Sequence, residues 1–200
     1  MVAIIDYGMG NVASVQKALN FLKIENIITA DHNEISASTA ILLPGVGSFK
    51  QGMANLNERG LVELLTKEVI ENKKKFLGIC LGMQLIMDQG SEPEVTKGLG
   101  WISGEVIKFE LENLAVPHMG WNSINNKNNK YFNNLDQSDF YFVHSYHVVP
   151  NDKSTIAATV NYGFEVVASL HNNNIFATQF HPEKSQNAGL ELIKNYFIDA

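Results

Sequence analysis

Three stretches of this 200-residue chain combine residue types and spacings that could do chemistry. The first is Gly78-Ile79-Cys80-Leu81-Gly82, which holds the chain's single cysteine. A G-x-C-x-G sequence at a strand-to-helix junction is the thiol form of a nucleophile elbow, whose sharp turn exposes the central side chain at the sheet's carboxyl edge. The flanking glycines leave room for the turn and for a substrate. The amino end of the following helix favours thiolate. A lone cysteine in an apolar stretch is ordinarily buried and inert, so the reading rests on the glycines around it.

The second stretch is Gln179-Phe180-His181-Pro182-Glu183-Lys184-Ser185, at the end of an apolar run. Pro182 pushes His181 toward an extended backbone. Residues two apart then point the same way, so Glu183 can lie beside the imidazole, fix its tautomer and stabilise its charged form. A strand-end histidine followed by a helix-capping acid is the plainer alternative. His32, His118, His144, His147 and His171 have no carboxylate two residues on at the mouth of a strand. His144 and His147, three apart on one strand, would face opposite ways and not share a metal, and no metal site is expected.

The third stretch is Leu42-Leu43-Pro44-Gly45-Val46-Gly47. A strand running into a Gly-rich turn presents free backbone N–H groups. Those of Val46 and Gly47, with that of Leu81 just after the cysteine, could hold a tetrahedral oxyanion from two sides. Gly45 and Gly47 also permit a peptide flip, so the hole could form only when triggered. A fourth stretch competes with these. Gly8-Met9-Gly10-Asn11-Val12-Ala13 matches G-x-G-x-x-G/A, with Asp31 about 20 residues beyond, as in a dinucleotide-binding module. That reading leaves Cys80 and His181-Pro182-Glu183 unexplained, and the second half lacks the repeated βαβ of a full dinucleotide-binding sheet.

The elements that must position these residues follow from periodicity. Val2–Ile5, Ile27–Thr29, Ala40–Leu43 and Lys75–Ile79 read as short strands. Asn11–Leu22, Leu61–Ile70 and Leu81–Met87 have helical spacing. This alternation predicts βαβ units and a parallel sheet covered on both faces. After about Gly98 the texture changes. Gly104–Phe109, Phe140–Val143, Thr155–Val160, Glu165–Leu170 and Ile175–Phe180 predict mostly antiparallel strands, closed by a helix from about Gln186 to Phe197. Asn122–Asn134 reads as an exposed polar loop. The strands flanking it are too short to make two domains, so residues 1–200 read as one.

Hydrophobic residues make up 45% and charged residues 18%, enough apolar content for a sizeable core. A net charge of −6 leaves no overall basic footprint for nucleic acid. Lys73, Lys74 and Lys75 form a short basic run, read as a solvated helix end. No apolar run approaches the roughly 20 residues that span a bilayer, and the amino terminus lacks a signal-peptide pattern. One cysteine suits a reducing compartment, and a cytoplasmic location is expected.

Together the motifs resemble those of class I (triad) glutamine amidotransferases, and within them the glutaminase subunits of imidazole glycerol phosphate synthases. The resemblance covers essentially the whole chain. It rests on Asp6-Tyr7-Gly8-Met9-Gly10-Asn11, the Pro44–Phe49 turn, Gly78-Ile79-Cys80-Leu81-Gly82-Met83-Gln84, Gly98-Leu99-Gly100, Pro117-His118-Met119-Gly120-Trp121-Asn122, Phe142-Val143-His144-Ser145-Tyr146 and the Gln179–Ser185 stretch. It implies a flavodoxin-like three-layer α/β/α fold with a mixed sheet, parallel in its first half and largely antiparallel in its second.

The resemblance further implies a Cys80, His181, Glu183 triad that hydrolyses glutamine without a cofactor. Gly47, Gln84, Ser145 and Tyr146 would hold the substrate's amino-acid end. Asn11, the Pro117–Asn122 segment (Pro117, His118, Met119, Gly120, Trp121, Asn122) and Lys184 would face a (β/α)8-barrel cyclase subunit that receives the ammonia in histidine biosynthesis. Gln186, where relatives often have Gly, Trp101, where an aliphatic residue is common, and the Asn-rich loop depart from the pattern. They leave open a paralogous subunit serving another amidation, such as modification of a surface sugar.

Overall fold

The computed structural model describes residues 1–135 and 138–199. Its first half alternates strand and helix, with α2 and α3 beyond the elements the periodicity predicts: β1 (Val2–Ile5), α1 (Val12–Phe21), β2 (Asn26–Thr29), α2 (His32–Ala37), β3 (Ala40–Leu43), α3 (Phe49–Glu58), α4 (Leu61–Thr66), β4 (Lys75–Ile79) and α5 (Leu81–Leu85). Helix α4 runs on into a π turn over Lys67–Glu71. Met87, expected to end a helix, instead begins β5 (Met87–Gly90), which is followed by β6 (Thr96–Lys97), β7 (Ile102–Lys108), β8 (His118–Asn126), β9 (Asp139–His144) and β10 (Tyr146–Pro150). The chain ends with β11 (Ile156–Tyr162), β12 (Phe164–Asn172), β13 (Ile175–Thr178) and α6 (Gln186–Phe197).

Among the described residues nine strands form one sheet in the order β2-β1-β3-β4-β13-β12-β11-β8-β9. Pairing is parallel from β2 to β13 and antiparallel from β13 outward. Strand β13 does not simply extend a meander: it inserts beside β4, with Ile175 opposite Phe76 and Thr178 opposite Ile79. A second, four-stranded sheet has the order β10-β7-β5-β6.

Strands β1, β3 and β13 are buried at every residue, as central strands between two helical layers must be. Neighbouring residues feed opposite faces. Ile4 and Leu42 pack with Val15 and Leu19 of α1 and Leu192 and Tyr196 of α6. Ile5 and Leu43 pack with Met53 and Leu56 of α3, Leu65 of α4 and Leu85 of α5.

Two expectations are corrected. Asn122–Asn126 is not loop but the end of β8, pairing with β9 and β11. In that polar stretch Ile124 alone is buried, too weak a signature beside its asparagines. Tyr131 and Phe132 also turn inward, in a short 3-10 turn. The lysine run is not a solvated helix end either. Lys74 Nζ pairs with Glu68 at 2.9 Å, with both side chains under 10% exposed, and donates to the Ile35 and Ser36 carbonyls. Burial would raise the Glu68 pKa, but hydrogen bonds from Lys74, Asn72 and Ser36 outweigh it and lower it. No helix among the described residues is long and apolar enough to cross a membrane.

Candidate active site

The order β3-β4-β13 decides where the chemistry gathers. These adjacent parallel strands end at one edge, and their carboxyl ends carry the Pro44–Gly47 turn, Cys80 and the Gln179–Glu183 stretch, respectively. Three stretches spread over some 140 residues of sequence thus meet side by side, at the edge where open α/β sheets bind ligands.

Cys80 has φ 54° and ψ −107°, a conformation that non-glycine residues seldom adopt. Its N–H is tied to the Thr178 carbonyl at 2.8 Å, and its carbonyl accepts from Met83 and Gln84 in the first turn of α5. The strand-to-helix reversal is therefore imposed from both sides. Gly82 makes it possible: a Cβ there would run into the Leu43 carbonyl of β3. Cys80 itself is 7% exposed.

His181 and Glu183 come together, with Nδ1 and Oε1 2.8 Å apart and both side chains at most 3% exposed, but through a 3-10 turn over Pro182–Lys184 rather than the extended chain expected. The His181 N–H bonds to the Tyr141 carbonyl, and its own carbonyl accepts from the Ser185 hydroxyl at 2.6 Å. Burial would lower the His181 pKa, but Cys80 and Glu183 together outweigh it and push it up to about 10. Nε2 makes no hydrogen bond among the described residues.

Beside Cys80 opens a cleft of about 430 Å³. Of the residues expected there, Val46, Gly47, Leu81, Gln84, Ser145 and Tyr146 all line it. Gly47 has φ +107°, and Val46 is 42% exposed. The Leu81 N–H is already engaged, donating to the Gly45 carbonyl at 3.3 Å. Gln84 is nearly buried and bonds to the Tyr146 carbonyl and to Gln179 Oε1.

Two site residues were not singled out from the sequence. Gln179 Nε2 lies 3.6 Å from Cys80 Sγ, as a donor to the sulfur. Its position two before His181 on extended chain was the available signal. Glu92 lines the cleft as a carboxylate, on a loop whose composition gave no hint. Its burial raises its pKa, opposed by a bond from the Phe49 N–H.

The residues expected to face a partner divide. Asn11, Pro117, Met119 and Trp121 are exposed, Met119 at 61% and Trp121 at 46%. Gly120, Asn122 and Lys184 are half-buried. The Trp121 ring meets Tyr141 edge-on at 5.9 Å, and Lys184 Nζ lies 5.9 Å from the same Tyr141 ring. His118 is turned fully inward and stacks on Phe142 and Tyr162. Alternation on β8 explains this, because His118 and its neighbour Met119 must point to opposite faces.

His144 and His147 are also placed differently from expectation. The chain breaks at Ser145 between β9 and β10, so alternation does not run through them, and both rings pack on Phe109. Among the described residues no group of three or more His, Cys, Asp or Glu side chains could hold a metal. The competing glycine motif has structural employment. Gly10 packs against the Gly45 backbone, and Asp31 caps α2 by accepting from the Asn33 and Glu34 N–H groups.

A strained cysteine elbow, an adjacent His–Glu pair and a Gly-rich turn on a mixed α/β/α sheet define a class, and the chain belongs to it: residues 3–200 match the family model described as glutamine amidotransferase class-I. It is 49% identical over 199 residues to imidazole glycerol phosphate synthase subunit HisH 1 of Campylobacter jejuni (strain RM1221), covering 98% of each chain. It is 45% identical over 203 residues to HisH 2 of Methanococcus maripaludis, covering all of both. Among solved structures, a glutamine amidotransferase superposes with a TM-score of 0.77 at 16% identity, covering 98% of this chain and 99% of that one. PurLQS from Thermotoga maritima gives 0.77 at 17%, covering 98% and 96%. At such identities these two speak for the fold alone.

Proposed function

We propose that this chain is the glutaminase subunit of an imidazole glycerol phosphate synthase, with Cys80 as nucleophile, His181 as acid and base, and Glu183 as the group that orients it. The observation behind this is the elbow itself: Cys80 is held at φ 54° and ψ −107°, with His181 and Glu183 on the adjoining strand end.

In the acylation step, Cys80 Sγ attacks the side-chain carbonyl carbon of glutamine. The oxygen takes up negative charge, and the C–N bond breaks as His181 gives its Nε2 proton to the leaving nitrogen. Ammonia departs and a thioester remains. His181 then takes a proton from water, which attacks the thioester and releases glutamate. Glu183 keeps the proton on Nδ1, so Nε2 faces the reaction in both steps.

The Leu81 N–H can serve the oxyanion only once it lets go of the Gly45 carbonyl. Glycines at 45 and 47 allow that peptide to rotate, presenting the Val46–Gly47 backbone to the same oxygen. One such donor is worth about 3 kcal/mol of barrier. Gly47, Gln84, Ser145 and Tyr146 sit where the amino-acid end of glutamine would lie, and Glu92 adds a carboxylate for its ammonium group.

Ammonia released into water would become ammonium, which is not a nucleophile, so the cleft has to open into a sealed interface. The exposed Met119, Trp121, Val46 and Pro117, with Asn11, Asn122 and Lys184, form the surface proposed to meet a (β/α)8-barrel cyclase. The setting is a cytoplasmic heterodimer of histidine biosynthesis. Cys80→Ala in the reconstituted complex is expected to abolish glutamate release while added ammonia still supports cyclisation. Glutamine hydrolysis by that variant would sink the proposal.

One observation keeps a second reading in view. M. maripaludis has two numbered HisH copies, matching this chain at 45% and 44% identity. A paralogue feeding a different synthase would share every residue above. Purifying the chain with its native partner and assaying that partner's acceptor separates the two.

A further inference from the structure

A continuous series of hydrogen bonds runs from the half-buried Asn122 to the cysteine. Asn122 Nδ2 lies 2.6 Å from His118 Nε2, and His118 Nδ1 lies 3.0 Å from His144 Nε2. His144 Nδ1 meets the Tyr146 carbonyl at 2.8 Å. That carbonyl also accepts from Gln84 Nε2, which donates in turn to Gln179 Oε1, whose own amide reaches the Cys80 sulfur.

The proton order in this series has one solution. A carbonyl can only accept, so His144 carries its proton on Nδ1. Burial pulls the His144 pKa down to about 3 and that of His118 down to about 4, so both rings are neutral. His144 Nε2 is then a bare acceptor for the His118 Nδ1–H, and His118 Nε2 accepts from the Asn122 amide. Each link then joins one donor to one acceptor.

The two histidines are cross-strand partners on β8 and β9, directly opposite each other. Their rings are enclosed by Phe142, Tyr162 and Phe109. The bond from His144 to Tyr146 spans Ser145, where the large sheet ends and the small one begins. Ser145 lies between the two ladders, and its carbonyl accepts from the Phe109 N–H at 3.0 Å. Both Ser145 and Tyr146 line the cleft beside Cys80.

We propose that His144, held in one tautomer by His118 and Asn122, is a positioning residue that fixes the Ser145–Tyr146 corner for glutamine and supports the Gln84–Gln179 bridge to the Cys80 sulfur. This rests on the glutaminase proposal. A positioning residue of this kind acts on substrate binding, so its loss raises KM for glutamine more than it lowers kcat.

The test compares His144→Asn, His144→Gln and His144→Phe in the complex with the cyclase subunit. An Asn amide nitrogen occupies the place of Nδ1 and keeps the bond to Tyr146, whereas the Gln amide lies at the place of Nε2 and Phe has no donor. His144→Asn is expected to stay within about threefold of wild type in kcat/KM. His144→Gln and His144→Phe are expected to raise KM for glutamine by about tenfold, one hydrogen bond's worth, with ammonia-dependent turnover unchanged. Equal behaviour of Asn and Phe overturns the proposal.

Ring ¹⁵N shifts of the wild-type complex give a reading that needs no variant to fold. They should report His118 and His144 as neutral Nδ1–H tautomers from about pH 5.5 to 8. An Nε2–H ring or a titration in that range overturns the assignment. A wild-type complex that releases no glutamate refutes the glutaminase proposal instead, whereas an active wild type with indifferent variants refutes this one alone.

Discussion

His181 and Glu183 share a 2.8 Å contact through Nδ1 and Oε1, while Nε2 on the far side of the same ring has no hydrogen bond among the described residues. The ring is thus fixed on one side by Glu183, and Cys80 acts on it as well, raising its pKa. The pair is held by backbone rather than by side-chain packing alone, since Tyr141 and Ser185 each bond the His181 main chain.

Glu183→Gln keeps the shape of this pair and removes its charge. Glutaminase kcat should fall by roughly 10³- to 10⁴-fold, the cost seen when a catalytic histidine loses its orienting carboxylate. Stability should respond to pH as well. His181 is raised from 6.5 to about 10. Its contribution is fully present below about pH 6.5 and is lost as pH rises through about 10. Wild-type Tm should therefore decline toward alkaline pH, and Glu183→Gln should flatten that decline. Parallel Tm profiles for the two proteins would contradict the assignment.

Gly82→Ala places a methyl against the Leu43 carbonyl, where α5 leaves the cysteine turn. The backbone of β3 cannot move without disturbing two strand ladders. A loss of about 2–3 kcal/mol is expected from urea midpoints, together with reduced labelling of Cys80 by a glutamine-analogue electrophile. Wild-type stability would show that the elbow has slack.

Lys74→Ala removes one member of a buried ion pair and leaves Glu68 without its cation. The Ile35 and Ser36 carbonyls also lose their shared donor. About 3–5 kcal/mol is expected, since an uncompensated buried charge costs more than the pair contributes. Denaturant melts measure it, and replacing both residues with apolar ones should recover most of the loss.

Trp121→Ala tests the proposed partner surface. Trp121 is 46% exposed yet braced by Tyr141, the arrangement of an interface anchor. Loss of about 2 kcal/mol, close to 30-fold in Kd for the cyclase subunit, is expected by calorimetric titration. The free variant should melt like wild type, and an unchanged Kd would move the interface elsewhere.

Much of the site was legible because its motifs are local. The Cys80 elbow needs only neighbouring glycines, and Glu183 reaches His181 across Pro182, within one short 3-10 turn. The inner strands were legible from their unbroken apolar runs. Strand β8 was not, because its burial is confined to few positions and its surface is polar. His144 and His147 were misjudged from spacing, since their placement depends on a strand break at Ser145 that no periodicity marks.

The amino-acid sequence by itself determined which side chains are available for chemistry, the turn geometry around each, and the alternation of strand and helix that selects the fold class. These are short-range matters of backbone sterics and periodicity. Only the tertiary structure decided that β13 inserts beside β4 and brings His181 to Cys80, that Gln179 reaches the Cys80 sulfur and Glu92 lines the cleft, that the Leu81 N–H is occupied, and that the Lys74 side chain is buried against Glu68. Each depends on contacts between residues far apart in the chain, chosen by how two helical layers close over one sheet rather than by any local pattern.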